Sequence, residues 1–321
     1  MIEILSSGLM NSVQDLGRPG FLDQGIGRGG AMDAMALRIG NILLGNPDDA
    51  AGLELSIFPF RLRFHSPCAF AVTGALAAAS LNGVALPPWW TATAQAGDEL
   101  RVDAPRLGAR SYVTFSGGID VPQVLGARAT DLKSLFGGLD GRALARGDRL
   151  QLGAKTVAIP AAGFGVDPSA FRENAANLRF MRGAEFCTFT EEAQASLVSA
   201  PWTVSKDNNR QGMRLEGPPL MLTEKLELLS HGIMPGTIQV PPSGQPVIQL
   251  AEANTCGGYP KIGHVIEPDL WKLAQAPSGT TLAFMEISRE HAVDAIRAQD
   301  LAINRLRHLI PLAATHALKA G

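Results

Sequence analysis

Phe58-Pro59-Phe60-Arg61-Leu62-Arg63-Phe64 and, shortly after it, Ala69-Phe70-Ala71-Val72-Thr73 read as two short strands. They belong to a strand-rich block over residues 52–155 that continues with Glu99–Val102, Tyr112–Ser116 and Arg149–Leu152. Turn signals separate the strands: Asn82-Gly83, Ala96-Gly97-Asp98, Ser116-Gly117-Gly118 and Arg146-Gly147-Asp148. Asn82-Gly83 is a hairpin signal because both residues tolerate positive φ. Ile2–Leu5 adds a strand at the start, and the Gly-rich, polar residues 6–30 read as loop.

A second strand-rich block begins near Leu178, after a linker over residues 156–177. Leu62-Arg63-Phe64 recurs as Leu178-Arg179-Phe180. Ser116-Gly117-Gly118-Ile119-Asp120-Val121-Pro122 loosely resembles Ser230-His231-Gly232-Ile233-Met234-Pro235. The echoes come in similar order, which points to a duplicated β-fold. The 321 residues exceed what a single core usually holds, so two domains are expected, over 1–160 and 161–321.

Four helical patterns interrupt the strands. Asp33 caps a helix over Ala34–Leu44 that Gly45-Asn46-Pro47 stops, with too many apolar residues for one tidy stripe. Thr190–Ser199 has Thr190 as cap and two glutamates at its positive end. Pro268–Ala276 is short. Residues 288–318 carry Val293, Ile296, Ile303, Leu306 and Ile310 on one apolar face, and Pro311 should kink or end that helix.

Hydrophobic residues make up 46% of the chain and charged residues 18%, a composition that builds cores rather than disorder. The 28 basic and 30 acidic residues balance, which argues against nucleic acid or an anionic membrane as partner. Cys68, Cys187 and Cys256 are isolated and fit a reducing cytoplasm. Neither they nor His65, His231 and His264 have the spacing of metal ligands, so no metal is expected. No secretory signal opens the chain, and no apolar run approaches the roughly 20 residues of a membrane span.

Four segments carry side chains suited to chemistry. Val13-Gln14-Asp15-Leu16-Gly17-Arg18-Pro19-Gly20 brings an amide, a carboxylate and a guanidinium to a Gly-rich bend, where Arg18 can grip an anion or simply pin the loop through Asp15. Gly117-Gly118 ahead of Asp120, Arg128 and Asp131 can form a backbone nest for an anion or an ordinary tight turn, but lacks the spacing of a phosphate-binding loop. Asn208-Asn209-Arg210-Gln211-Gly212-Met213-Arg214 offers amides that can read an amide or urea group, or a solvated polar loop. Ser230–Lys261 is the richest: a buried-looking strand, Val247–Ala251, leads into Glu252-Ala253-Asn254-Thr255-Cys256-Gly257-Gly258-Tyr259-Pro260-Lys261. Lys261 can anchor a carboxylate, or act as an acid or base if desolvation lowers its pKa.

Taken together, these segments resemble the biotin-dependent carboxyltransferase family, whose members are also labelled allophanate hydrolase subunit 2 and the C component of 5-oxoprolinase. The resemblance runs from about Ile4 to Ile287. It is most specific at Val13–Gly20, Gly30–Asp33, Leu44–Pro47, Gly117–Pro122, Gly236–Pro242 and Gly257–Lys261. It implies a mainly β fold of two cyclophilin-like β-barrels with a few short helices and a C-terminal helix. It also implies a companion 5-oxoprolinase B component (KipI-like), and in some systems an A component. With these, ATP-dependent opening of 5-oxoproline to glutamate is carried out; which component binds ATP is left open. Two alternatives follow from the same family. One is carboxyl transfer to urea or another small amide, with biotin on a separate chain. The other is a non-catalytic regulatory partner.

By resemblance, the catalytic candidates are Lys261, Tyr259 and Asp15. The ligand-facing candidates are Gln14, Arg18, Asp33, Gly118, Asp120, Asn209, Arg210, Arg214, Gln239, Gln245 and Thr255. The sequence departs from the family pattern at His231, where Asp is common, at Gln211 and Met213, at Glu252-Ala253-Asn254 in place of Asp-Arg-Gln, and at Cys256. Ala253 cannot bind an anion as an arginine there would.

Overall fold

The computed structural model describes residues 1–154, 159–171 and 175–320, with side chains as far as residue 310. The chain forms two compact units. One is built from residues 1–18, 29–172 and 301–321, the other from 19–28 and 173–300.

The first unit consists of two sheets around one core. A six-stranded sheet runs in the order Arg149–Leu150, Ile2–Ser6, Phe60–Phe64, Glu99–Pro105, Ala77–Leu81, Val84–Leu86. A five-stranded sheet runs Ser12–Gln14, Gly52–Leu55, Ser111–Phe115, Cys68–Gly74, Trp90–Ala94. Ile2, Leu53, Phe60, Phe64, Phe70, Leu100, Val113 and Phe115 fill the space they enclose. The ladder of this unit is thus two sheets rather than one closed ring. The expected Asn82-Gly83 hairpin is present, with φ of 51° and 82° joining Leu81 to its partner Val84. Ser12–Gln14, expected as loop, pairs with Gly52–Leu55. Three residues of strand, polar at both ends, leave no periodic signal to read.

Helix α1 (Ala34–Leu43) is capped by Asp33, whose Oδ1 accepts the N–H of Ala36 at 3.0 Å. It has no single apolar stripe because it is covered on more than one side. Met35, Leu37, Ile39 and Leu43 share a cluster with Ala69, Ala71 and Tyr112 of the sheet and with Ile303, Leu306 and Ile310 of the terminal helix. Gly40 allows the close approach: a Cβ there would lie 2.7 Å from Thr114 Oγ1.

The division of the chain differs from 1–160 and 161–321 in three respects: residues 19–28 belong to the second unit, and two more differences are set by packing. Residues 159–171, expected as linker, lie against the first unit. Thr91 donates its N–H to the Phe164 carbonyl at 2.8 Å, and Trp89 stacks on Phe171 at 6.0 Å. Of the remainder of that expected linker, 156–158 and 172–174 fall outside the described residues, and Asn177 already opens a strand. The terminal helix α4 (Arg289–Ala320), expected with the second domain, belongs to the first unit from Leu301 onward, where its apolar face completes the α1 cluster. It also continues through Pro311 instead of ending there.

The second unit is a closed seven-stranded barrel. Its strands follow the order Asn177–Arg182, Lys261–Val265, Thr237–Gln239, Val247–Gln249, Gly212–Glu216, Trp202–Val204, Thr281–Glu286. Closure removes the exposed edges that a sheet would otherwise leave. Phe180, Trp202, Ile238, Ile248, Val265 and Phe284 are buried, with the Phe180 and Phe284 rings 5.7 Å apart. The Leu-Arg-Phe echo falls on strands in both units, and in each case the Leu and Phe are buried on either side of an Arg that is not. Helices α2 (Glu191–Ser199) and α3 (Leu270–Ala274) belong to this unit, and Thr190 caps α2 as expected.

Candidate active site

Successive residues of a strand face opposite sides. In the barrel strand Thr237–Gln239, Ile238 takes the interior, which sends Thr237 and Gln239 to the outer wall. Register puts His264 beside Thr237 and Lys261 beside Gln239, with a bulge at Ile262 that re-aims Lys261. On the other flank, Gln249 and Arg214 occupy the same wall. A stretch of barrel exterior thus carries Thr237, Gln239, Gln249, Lys261 and His264. A two-stranded ribbon, His231–Gly232 against Cys256–Gly257, stands beside it.

The wall is ordered by its own hydrogen bonds. Gln249 Nε2 donates to Gln239 Oε1 at 3.0 Å, and Gln239 Nε2 donates to the Tyr259 carbonyl at 3.3 Å. Gln239 and Gln249 are nearly buried, so these amides are fixed in orientation. The His264 ring lies 3.4 Å from Thr237 Oγ1, and burial holds its pKa below the usual value, which favours the neutral imidazole. The Lys261 side chain is 11% exposed. Its Nζ contacts the His231 ring and lies 3.6 Å from Glu185 Oε2.

The sequence candidates divide between the units. In the second, Gln239 and Lys261 are on the wall, and Arg214 shares its face but turns its guanidinium to the Asp207 carbonyl at 2.5 Å. Tyr259 contributes a backbone carbonyl while its ring is exposed. The Thr255 backbone carbonyl accepts the N–H of Ile233 at 3.1 Å and ties down the ribbon. Asn209 Oδ1 accepts the N–H groups of Gln211 and Gly212, and Gln245 holds Gly217 through both its amide atoms. Arg210 is buried and paired with Glu252 at 2.5 Å. Asn209, Gln245 and Arg210 thus spend these groups on other parts of the chain.

In the first unit, Asp15 uses both carboxylate oxygens on backbone: Gly17 N–H at 2.7 Å and Arg128 N–H at 2.5 Å. Burial pushes its carboxyl up, against the pull of those two donors and of Arg18. Gln14 Nε2 donates to Ser12 Oγ and the Thr130 carbonyl, and Arg18 donates to the Ala129 carbonyl and lies over the Phe136 ring at 4.6 Å. Asp120 is exposed and 3.5 Å from Arg128. The Gly117-Gly118 turn is not an open anion nest. Gly117 N–H goes to Asn46 Oδ1 and Gly118 N–H to the Phe115 carbonyl, so its donors offer no cradle for the phosphates of ATP. Asp33 caps α1, and its N–H donates to the Tyr112 hydroxyl.

Sequence reasoning missed Glu185 and Gln249. Glu185 lies in none of the four segments, and Gln249 lies in the strand Val247–Ala251 but was not singled out; register places Gln249 on the wall, and a side-chain hydrogen bond to the Lys261 N–H brings Glu185 to it. It also missed Glu54, a buried carboxylate that receives the Tyr112 hydroxyl at 2.7 Å and the Met32 N–H at 2.8 Å. Burial and the neighbouring Glu54 hold the Tyr112 phenol well above its ordinary pKa, so it remains a donor.

Residues 24–286 match the family model of the carboxyltransferase domain, subdomain A and B, and the chain belongs to that family. It is 40% identical to the C component of the 5-oxoprolinase of Escherichia coli K12 over 307 residues, covering 95% of this chain and 97% of that one. It is 36% identical to the C component of the 5-oxoprolinase of Haemophilus influenzae, covering 97% and 99%. Among solved structures, the urea amidolyase of K. lactis superposes with a TM-score of 0.87 at 28% identity, over 95% of this chain and 20% of that larger one.

Proposed function

We propose that this chain is the C component of an ATP-dependent 5-oxoprolinase, acting with its companion B and A components to open 5-oxoproline to glutamate. Full-length likeness to two proteins of that name supports the reading. The observation that carries it is the polar wall of the second unit, which offers complementary groups for a small lactam acid. Lys261 Nζ has N–H bonds left over after its contact with His231, and they suit the substrate carboxylate. The Gln239–Gln249 amide pair, fixed in orientation, suits the lactam N–H and carbonyl. The lactam is a stable amide, so water alone opens it slowly, and ATP used by the complex supplies the activation of its oxygen or nitrogen. This chain's part is to bind and orient the ring, with Lys261 adding positive charge beside the activated group.

The test is reconstitution of the three components and assay of ATP-dependent glutamate formation. Omission of this chain should abolish turnover, and Lys261→Ala should reduce it by about tenfold or more through loss of a charged hydrogen bond. Full turnover by that variant removes Lys261 from the site. A second reading, carboxyl transfer from a biotin carrier to a small amide, draws on the likeness to the K. lactis urea amidolyase. Avidin-reactive protein that co-purifies with this chain would favour it.

A further inference from the structure

The geometry points to Glu185 as the residue that positions the Lys261 ammonium for its ligand, an inference that rests on the ligand-binding role proposed for Lys261. Glu185 stands just ahead of the short turn Phe186–Thr188, yet its carboxylate does not cap that turn. Its backbone is pinned there instead: the carbonyl accepts the Thr188 N–H at 3.0 Å and the Thr188 hydroxyl at 2.7 Å. The side chain is left to reach the barrel wall. Oε2 accepts the backbone N–H of Lys261 at 2.9 Å and lies 3.6 Å from its Nζ, while Oε1 lies 3.8 Å from His231 Nε2.

The neighbouring chain is shaped to permit this. Gly183 approaches the Lys261 strand so closely that a Cβ would sit 2.2 Å from the Lys261 carbonyl oxygen, and its N–H donates to the Ile262 carbonyl at 3.0 Å. The bulge at Ile262 turns Lys261 toward the same carboxylate.

His231 holds the ammonium from another side. Its Nδ1 lies 2.9 Å from the Leu229 carbonyl. A carbonyl only accepts, so Nδ1 carries the proton and Nε2 presents a lone pair, to which the Lys261 ammonium donates. The carboxylate at 3.6 Å attracts the ammonium by charge without a direct hydrogen bond. The amine is therefore fixed by an acceptor and a counter-charge, and its remaining N–H bonds stay available to a ligand oxygen. At 11% and 13% exposure of the two side chains, that attraction is screened less than at the surface.

Glu185→Gln separates positioning from scaffolding, because the amide oxygen still accepts the Lys261 backbone N–H while the charge is gone. Glu185→Ala loses both. The first readout needs only the full chain: acylation of Lys261 by an N-hydroxysuccinimide ester, quantified by mass spectrometry against the other lysines. The expected result for Glu185→Gln is about a threefold rise in Lys261 labelling as the amine is released, at unchanged Tm. Unchanged labelling overturns the inference. In the reconstituted complex, Glu185→Gln should raise KM for 5-oxoproline roughly tenfold with a smaller change in kcat, and should add nothing on top of Lys261→Ala. Equal, additive losses in both backgrounds would show that Glu185 acts independently of Lys261 and also overturn the inference. Full turnover by Lys261→Ala sinks the ligand-binding role of Lys261 and the kinetic half of the inference with it, while the labelling result still decides whether Glu185 positions the amine.

Discussion

Arg210 and Glu252 form an ion pair at 2.5 Å whose side chains are 3% and 5% exposed, and the Glu252 N–H also donates to the Arg210 carbonyl at 2.9 Å. Arg210→Met removes the guanidinium and leaves a carboxylate buried without its counter-charge. Breaking a buried pair in this way costs about 3–5 kcal/mol. At about 2–4 °C per kcal/mol, that predicts a fall of roughly 6–20 °C in the transition of the second unit. Scanning calorimetry of the purified chain measures it. Removal of both charges in Arg210→Met/Glu252→Leu should recover most of the loss, because an apolar pair of similar volume replaces an ionic one at little net cost. A Tm within about 2 °C of the parent for the single variant would refute the structural role, since so small a shift is under about 1 kcal/mol. If it came with a weakened KM, Arg210 would return to the ligand-facing residues that the family resemblance implies.

Three further outcomes follow from the same geometry. Tyr112→Phe removes the hydroxyl that donates to Glu54 and accepts the Asp33 N–H, and should cost about 1–3 kcal/mol in urea unfolding with an unchanged slope. Gly30 has φ of 88°, and a Cβ there would lie 2.6 Å from the Gly17 nitrogen, so Gly30→Ala should destabilise the first unit by about 1–3 kcal/mol in the same assay. Burial depresses the His264 pKa below 6.5, so the unfolded chain binds the proton more readily. Stability from this group is therefore complete above 6.5 and declines as pH falls through and below it. His264→Gln should flatten that part of the stability profile, and an unchanged profile would show that other groups set it.

Much of this architecture was legible in the residues. Asn82-Gly83 fixes its hairpin because both residues tolerate the positive φ that a tight two-residue hairpin turn requires. Asp33 and Thr190 each place a helix start, since a side-chain oxygen beside free N–H groups is a local arrangement. Of the apolar face read from spacing, Ile303, Leu306 and Ile310 are buried in the α1 cluster, while Val293 and Ile296 stay exposed. The family motifs likewise marked Gln239 and Lys261, which share one wall.

What the residues could not decide was which partner each of these groups meets. The apolar face of α4 is a one-dimensional pattern, and nothing in it says that it covers α1 in the first unit and not the barrel that precedes it in sequence. Arg18, Arg210 and Asp15 have the side chains of a binding site. In the fold, however, Asp15 holds the backbone N–H groups of Gly17 and Arg128, Arg18 a backbone carbonyl, and Arg210 is paired with Glu252. Glu185 has no motif at all and is brought to Lys261 only because the strand ahead of it, 177–182, pairs with 261–265. Local chemistry settles turns, caps and which faces are apolar, because each depends on neighbours a few residues away. The polar wall depends on strand register, a bulge and a close glycine approach between segments distant in sequence, and those are properties of the folded chain.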